Sequence, residues 1–177
     1  QFYKVFIGFF ASVLFYHYVV ELFLFDLKSL FRIYMRVSLI VAFIGLFQLV
    51  SYWVGFGPGY NFRWIFNKWG YIPGGLGIRI NSVFGEPAYF AATISPAFFV
   101  SIYNFTIAKP IFITRLQSVA IVVAYVLTFS SLGILGIFMT AVLLLINLGF
   151  FKYAIVFIPL SIFIFTYSYD NVGEFRE

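Results

Sequence analysis

The sequence predicts an all-α fold: a polytopic integral membrane helical bundle with about six transmembrane spans and one long outer loop. Of its 177 residues, 63% are hydrophobic and only 10% are charged. Mean hydropathy is +1.03, whereas a soluble domain of average composition carries about 25% charged residues. Such a chain would aggregate in water, so we expect its solvent to be lipid.

Composition also excludes several classes of protein. The chain has no Cys, which excludes a disulfide scaffold, a thiolate metal site and a cysteine nucleophile. It has a single His and no cluster of carboxylates, so we expect no metal and no cofactor. The net charge of +5 is spread over short loops, which argues against a nucleic-acid partner. The chain opens with Gln1 and lacks a signal-peptide pattern, so we interpret it as a fragment of a longer polypeptide.

The predicted spans are apolar stretches close to the length of about 17 to 25 residues that crosses a bilayer. They cover residues 5–25, 37–54, 87–107, 117–130, 132–148 and 153–168. The first two are separated by a polar hinge over 26–36. Its three cations recur every four residues and would form one basic stripe on a helix: Lys28, Arg32 and Arg36. The third span starts at Pro87, which suits the first turn of a helix because its missing N–H is not needed there.

A polar break divides the stretch from 116 to 148, which is too long for one span. Thr128, Ser130 and Ser131 stand there beside Gly133. Hydroxyl groups can satisfy the backbone at a helix break, and small residues allow close helix packing. A nucleophilic serine would need a neighbouring base, which this stretch lacks, so packing is the favoured interpretation.

Residues 55–86 form the predicted outer loop. Their density of glycine and proline excludes a regular spanning helix. Trp53, Trp64 and Trp69 cluster at the near end of the loop, where interfacial aromatic residues belong. We therefore expect short helical pieces that lie at the membrane interface.

The distribution of Lys and Arg between the short loops predicts the orientation. If residues 26–36 lie inside, six cations fall inside and five outside. The inner cations are Lys28, Arg32, Arg36, Lys109, Arg115 and Lys152; the outer ones are Lys4, Arg63, Lys68, Arg79 and Arg176. The outer cations are concentrated in the long loop, where a functional role would retain them.

The side chains best suited to chemistry follow one another at the end of this loop. Arg79 cannot lose its charge, and its planar guanidinium matches a diphosphate. Glu86 stands before Pro87 at a predicted helix N-terminus, where the helix dipole favours an anion. We predict that Arg79 binds a lipid-linked pyrophosphate, and that Glu86 orients Arg79 or acts as a base toward a sugar hydroxyl. The alternative is an interfacial ion pair that only fixes the loop.

Four other ionisable residues have a structural and a functional interpretation. Arg63 and Lys68 lie among Trp and Phe, so they are either substrate-binding residues or, as favoured by their surroundings, cations that snorkel at the lipid surface. His17 and Glu21 share one face of the first span, and ionisable residues within a span are by default a functional hypothesis. Packing with hydrogen bonds is the favoured role for His17.

The segment from Arg79 to Ala91, R-x-x-S-x-F-x-E-P-x-Y-F-A, resembles the bacterial O-antigen polymerase and O-antigen ligase superfamily. Members of that superfamily carry an Arg and a similar Glu-Pro step just before a spanning helix. Residues 127–133, LTFSSLG, resemble the T-x-S-x-x-G turn that the family has between two helices. Gln48, late in the second span and ahead of the loop, also resembles the family pattern. The order of elements matches over residues 37–148.

The resemblance implies a metal-independent integral membrane glycosyltransferase in the bacterial cytoplasmic membrane. It would transfer glycan from an undecaprenyl-diphosphate-linked donor to a lipid-linked repeat unit, with Arg79 on the diphosphate. The implied partners are membrane lipid, the undecaprenyl-diphosphate-linked oligosaccharide and a chain-length regulator protein. The family's second outer loop would lie beyond Asp170.

The sequence departs from the ligases, because residues 83–85 (VFG) replace their Gly-first order. This departure favours a surface polysaccharide polymerase. The alternatives are an O-antigen ligase and a non-catalytic membrane transporter or subunit for lipid-linked sugars.

Overall fold

The computed structural model describes residues 2–23, 26–65 and 70–149, together with 159–160, 162–163 and 166. Within these residues the chain is mostly helical, as predicted. The elements in chain order are α1 (Phe2–Phe23), α2 (Leu27–Val54), α3 (Gly57–Tyr60), a 3-10 turn (Phe62–Trp64), β1 (Ile72–Gly74), β2 (Gly77–Arg79), α4 (Pro87–Thr106), α5 (Arg115–Val126) and α6 (Ser131–Asn147). The two strands pair antiparallel as a hairpin, which the prediction of short helical pieces for the loop did not include.

Among the described helices, α2 and α4 are long and apolar enough to cross a membrane. Only 33% of the most apolar part of α2 and 44% of that of α4 is buried, so much of their apolar surface is exposed. Such exposure suits a helix that faces lipid. α5 and α6 are apolar but shorter. The 12 residues of α5 extend over about 18 Å at the helical rise per residue, against a hydrocarbon core of about 30 Å.

About six spans were predicted, and the described part of the chain contains two helices of spanning length. The sixth predicted span, 153–168, lies outside the described residues except for five positions. α1 covers most of the first predicted span, and its described side chains are almost all exposed.

The polar hinge predicted over 26–36 is helical and forms the start of α2, which runs for 28 residues. The Asp26 carboxylate accepts hydrogen bonds from the backbone N–H groups of Lys28 and Ser29, each at 3.1 Å. This cap, together with the good helix-forming residues that follow it, starts the helix before the apolar stretch begins. The basic stripe is thus continuous with the apolar part of α2.

α2 packs antiparallel to α4. Near the start of α2, the ring of Phe31 lies 5.2 Å from that of Phe112, which follows α4. Further along α2, Gly45 faces the ring of Phe90 in the first turn of α4. The absence of a side chain at Gly45 lets the two helices approach closely.

α5 also packs antiparallel to α4. Near the end of α4, Asn104 Nδ2 donates to Ser118 Oγ in α5 at 3.0 Å. Nearer the start of α4, Ser95 Oγ lies 2.9 Å from the hydroxyl of Tyr125, the penultimate residue of α5. The ring of Tyr125 stacks on Phe98 with centroids 4.1 Å apart, in the middle of the core.

α6 runs in the same direction as α4, since Gly133 at its start faces Ala91 near the start of α4. Consequently α2 and α5 end, and α4 and α6 begin, at one end of the bundle. We call this the loop end, because the described loop residues 55–65 and 70–86 cover it. The opposite end, which we call the turn end, contains residues 107–114 and the start of α2.

Candidate functional site

The two motifs that carry the family resemblance meet at the loop end. The backbone N–H of Ile80 donates to the carbonyl of Leu127 at 3.3 Å. Beside it, Arg79 Nε donates to the carbonyl of Thr128 over a longer distance of 3.4 Å. Strand β2 therefore lies along the turn between α5 and α6, although 49 residues separate Arg79 from Thr128.

The tip of the hairpin rests on the same turn. Gly75 has a φ of +54°, and a Cβ added there would overlap the ring of Phe129. Phe129 itself has a φ of 43°, which places its backbone in the left-handed region. A non-glycine residue adopts this conformation at a cost, so the surrounding contacts must hold it there. Gly75 is required both by its backbone conformation and by the close approach of the aromatic ring.

The buried amide of Gln48 joins the loop to α2. Gln48 is 0% exposed. Its Oε1 accepts hydrogen bonds from the backbone N–H groups of Asn81 (3.2 Å) and Ser82 (3.1 Å). Its Nε2 donates to Asn81 Oδ1 at 2.8 Å and to the carbonyl of Tyr60 at 3.1 Å. Two donors and two lone pairs are the full capacity of an amide, so Gln48 is saturated.

The chain turns from the hairpin toward α4 at Asn81 and Ser82. Ser82 has a φ of 53°, and its hydroxyl donates to the carbonyl of Val41 at 2.7 Å. Asn81 Nδ2 donates to the carbonyl of Phe84 at 2.7 Å. These bonds, with those from Gln48, compensate for the left-handed backbone at Ser82. They determine where Arg79, two residues before Asn81, leaves the sheet.

At the break between α5 and α6, side-chain hydroxyl groups form hydrogen bonds with backbone groups, as the sequence predicts. Thr128 Oγ1 donates to the carbonyl of Tyr125 at 2.8 Å. Ser130 Oγ accepts from the backbone N–H of Gly133 at 3.0 Å and so caps α6. A Cβ at Gly133 would lie 2.9 Å from Thr128 Oγ1, which explains the small residue at the end of this motif. Within the motif, these side chains hold the turn beside Arg79.

Arg79 is half-buried, and its guanidinium is only partly used. Within the part of the chain that the structure describes, Nε bonds to Thr128 and neither Nη has a hydrogen-bond partner. Glu86 is exposed at the N-cap of α4, and its carboxylate makes no capping bond. The described residues contain no ion pair between Arg79 and Glu86. The carbonyl of Thr128, and not Glu86, contacts the guanidinium.

The remaining predicted site residues are not gathered around Arg79. Arg63 lines an open groove of about 600 Å3 that is formed by residues 57–64. Lys68 lies outside the described residues. His17 Nε2 and Glu21 Oε2 are 3.7 Å apart on α1, with side chains 76% and 74% exposed, and they contribute nothing to the loop end. No group of three or more potential metal ligands occurs among the described side chains.

Gln48 and Asn81 are part of the loop end, although no role for either was predicted from the sequence. A signal for Gln48 existed, because a glutamine within an apolar helix needs buried partners. The identity of those partners could not be inferred, since they lie 12, 33 and 34 residues further along the chain.

Comparisons of the chain with protein-family models, with curated proteins and with solved structures find no match.

Proposed function

We propose that this chain is part of a polytopic, metal-independent membrane glycosyltransferase that acts as a surface polysaccharide polymerase. The donor is an undecaprenyl-diphosphate-linked glycan, and the acceptor is a lipid-linked repeat unit. The loop end faces the outer side of the bacterial cytoplasmic membrane, and the bundle is completed by further spans. Arg79 is the diphosphate-binding residue.

One observation carries this proposal: Arg79 Nε is engaged by the Thr128 carbonyl, while both Nη groups are without a partner in the described residues. An arginine held in this way presents two parallel N–H donors, the geometry that suits two oxygens of a diphosphate. The two motifs of the family resemblance thereby support a single role. The segment from Arg79 to Ala91 supplies the cation, and the turn at 127–133 supplies the carbonyl that orients it.

In the proposed reaction, an acceptor hydroxyl oxygen attacks the anomeric carbon of the donor sugar. The bond between that carbon and the diphosphate oxygen breaks, and its electron pair leaves with undecaprenyl diphosphate. Arg79 stabilises the charge that develops on this leaving group. The proton of the hydroxyl passes to a carboxylate base.

Glu86 is the candidate for that base. Its carboxylate is exposed at the start of α4 and is not used in a cap or, among the described residues, in an ion pair. It is therefore available to accept a proton from a bound hydroxyl. The other predicted role for Glu86, the orientation of Arg79, has no contact to support it.

The test replaces Arg79 by Ala and by Lys in the full-length gene of its own host. Membrane levels are checked by blotting, and the surface polysaccharide is separated on a gel. We expect long polymer to collapse to single repeat units in both variants, because Lys lacks the bidentate fork. The control is Arg36→Ala, which removes an exposed cation near the turn end and should leave the ladder unchanged.

The outcomes separate the alternatives. An unchanged ladder at normal levels of Arg79→Ala would refute the proposal and would make Arg79 an interfacial anchor. Complete polymer that is not attached to its final acceptor would indicate a ligase. Lipid-linked single repeats that accumulate on the inner side would indicate a transporter.

A further inference from the structure

An open groove lies on the loop, apart from the two motifs that meet at Arg79. It has a volume of about 600 Å3 and is lined by Gly57, Pro58, Tyr60, Asn61, Arg63 and Trp64. Sites for small ligands commonly have volumes of 300 to 1,000 Å3 and combine aromatic walls with a few polar groups. The groove has this composition, and the reaction step above makes no use of it.

Its aromatic walls are held in place before any ligand binds. Trp64 is 68% exposed, yet its indole Nε1 donates to the carbonyl of Pro58 at 2.9 Å. The ring of Tyr60 packs edge-on between those of Tyr52 and Tyr71, with both centroid distances at 5.4 Å. Trp64 therefore offers a fixed flat surface, and such a surface suits the apolar C–H face of a sugar ring.

Its polar groups are available for a ligand. Asn61 Oδ1 accepts from the backbone N–H of Arg63 at 3.2 Å, which leaves the Asn61 Nδ2 donors free in the described residues. The guanidinium of Arg63 is exposed and has no ion pair in the same part of the chain. None of the described residues that line the groove carries a carboxylate. Its charge is thus complementary to an anionic ligand.

From this combination we infer that the groove of residues 57–64 binds a carboxylate-bearing sugar ring of the glycan. Trp64 stacks on the ring, Arg63 pairs with the carboxylate, and Asn61 donates to a hydroxyl. This inference rests on the proposed function and assigns it a substrate class, an acidic polysaccharide. It also gives Arg63 a role distinct from diphosphate binding.

The groove is tied to the Arg79 segment through Gln48. The carbonyl of Tyr60, within the groove, accepts from Gln48 Nε2, while Gln48 Oε1 accepts from Asn81 and Ser82. A sugar held in the groove would therefore keep a fixed position relative to the segment that carries Arg79. This is the relation that an acceptor or product site needs with a donor site.

The experiment uses the full chain in nanodiscs of zwitterionic lipid and saturation-transfer NMR. The probes are a hyaluronan tetrasaccharide, which carries carboxylates, and the neutral chitotetraose. We expect signal from the acidic tetrasaccharide to exceed that from the neutral one. Trp64→Ala should abolish both signals and Trp64→Phe should retain them. Arg63→Gln should weaken binding of the acidic probe about tenfold, to the level of the neutral probe.

The control variant is Trp53→Phe, because Trp53 is also an exposed tryptophan at the loop but bonds to the carbonyl of Leu76 outside the groove. It should bind both probes as the unmodified chain does. If the Trp64→Ala variant gave the same signals as the unmodified chain, the inference would be overturned. So would an absence of signal from both probes combined with Arg63-dependent binding to phosphatidylglycerol vesicles, which would make the groove a lipid headgroup contact.

The Arg79→Ala variant separates this inference from the proposed function. If it retains saturation transfer but loses polymer, both stand. If polymer persists while transfer still depends on Trp64, only the proposed function fails. If polymer requires Arg79 but no tetrasaccharide binds, only the assignment of the groove fails.

Discussion

Both ends of the bundle are organised by one fully buried amide, and the two amides join very different lengths of chain. Gln48 at the loop end bonds to Tyr60, 12 positions away, and also to Asn81 and Ser82, which lie 33 and 34 positions away. Asn104 at the turn end bonds to Ile111 and Ser118, only 7 and 14 positions away. Asn104 therefore closes a local turn, whereas Gln48 assembles a loop from distant segments.

The arginines at the two ends differ in the same way. Arg115, at the start of α5, uses its Nη2 on the carbonyls of Ile107 (3.0 Å) and Ala108 (3.1 Å). Among the described residues, Arg79 uses only Nε, on Thr128, and both of its Nη groups are without a partner. Arg115 thus stabilises the turn between α4 and α5, whereas the Nη edge of the Arg79 guanidinium is not used in the described structure.

The largest expected effect comes from removing each amide in turn. Gln48→Ala leaves three backbone groups of the loop without their partner and should destabilise the protein by about 3–6 kcal/mol, since each such group costs about 1–3 kcal/mol. Limited proteolysis in detergent should then cut residues 55–86 while sparing 107–114, and Asn104→Ala should show the reverse. Cleavage of both segments in both variants would contradict the independence of the two ends.

The next effect concerns the contact of the hairpin with the α5–α6 turn. Gly75→Ala combines left-handed strain with overlap of Phe129, so we expect a loss of about 2–4 kcal/mol in thermal unfolding experiments. The matched variant is Gly55→Ala, which has a similar positive φ of +78° but nothing within 4 Å of the added Cβ. Strain alone predicts about 1–2 kcal/mol there. Equal losses would mean that the hairpin does not rest on Phe129.

The comparison of the arginines predicts opposite phenotypes. Arg115→Ala removes two hydrogen bonds to carbonyl groups and should lower stability by about 1 kcal/mol without shortening the polymer. Arg79→Ala loses one long bond and should change the melting temperature little, while polymer is lost. Thermal unfolding and the polysaccharide gel measure the two effects. If Arg115→Ala were the variant that shortens the polymer, the assignment of the two ends would be reversed.

The smallest effect is a pH dependence at the turn end. The Ser29 hydroxyl and backbone N–H, followed by the Lys28 N–H, lower the pKa of Asp26 from its ordinary value of 3.8. Because the folded pKa is lowered, the stabilisation is present above the unfolded pKa and is lost as pH falls through the folded pKa. Asp26→Asn keeps a capping side chain but cannot titrate. The difference in melting temperature between the two proteins should therefore shrink below about pH 4.

The helices were largely predictable because each depends on local sequence. Pro87 marks the first residue of α4 in the sequence and in the structure, and the break placed at 128–133 coincides with the start of α6 at Ser131. The second span was predicted to begin at residue 37, whereas helix α2 begins ten residues earlier, at Leu27, because Asp26 caps it. Capping is also a local signal, so this difference was avoidable.

The candidate site was predictable in its residue types but not in its contacts. Arg79 was selected from its chemistry and its place in a motif. Glu86, seven residues away, was predicted either to orient Arg79 or to act as a base, and the contact of the guanidinium with the Thr128 carbonyl was not predicted. The hairpin was missed because its strands have three residues each, too short for an alternating pattern to be recognised.

The sequence by itself determined that the chain is helical and apolar, that the stretch 55–86 interrupts the helices, and that cations stand in this stretch. These properties depend on composition, hydrophobic length and local backbone preference. Only the tertiary structure decided that Gln48 saturates its amide on the loop, and that the Thr128 carbonyl aims Arg79. A hydrogen bond between residues distant in sequence depends on how the helices pack, and no local pattern of residues encodes that packing.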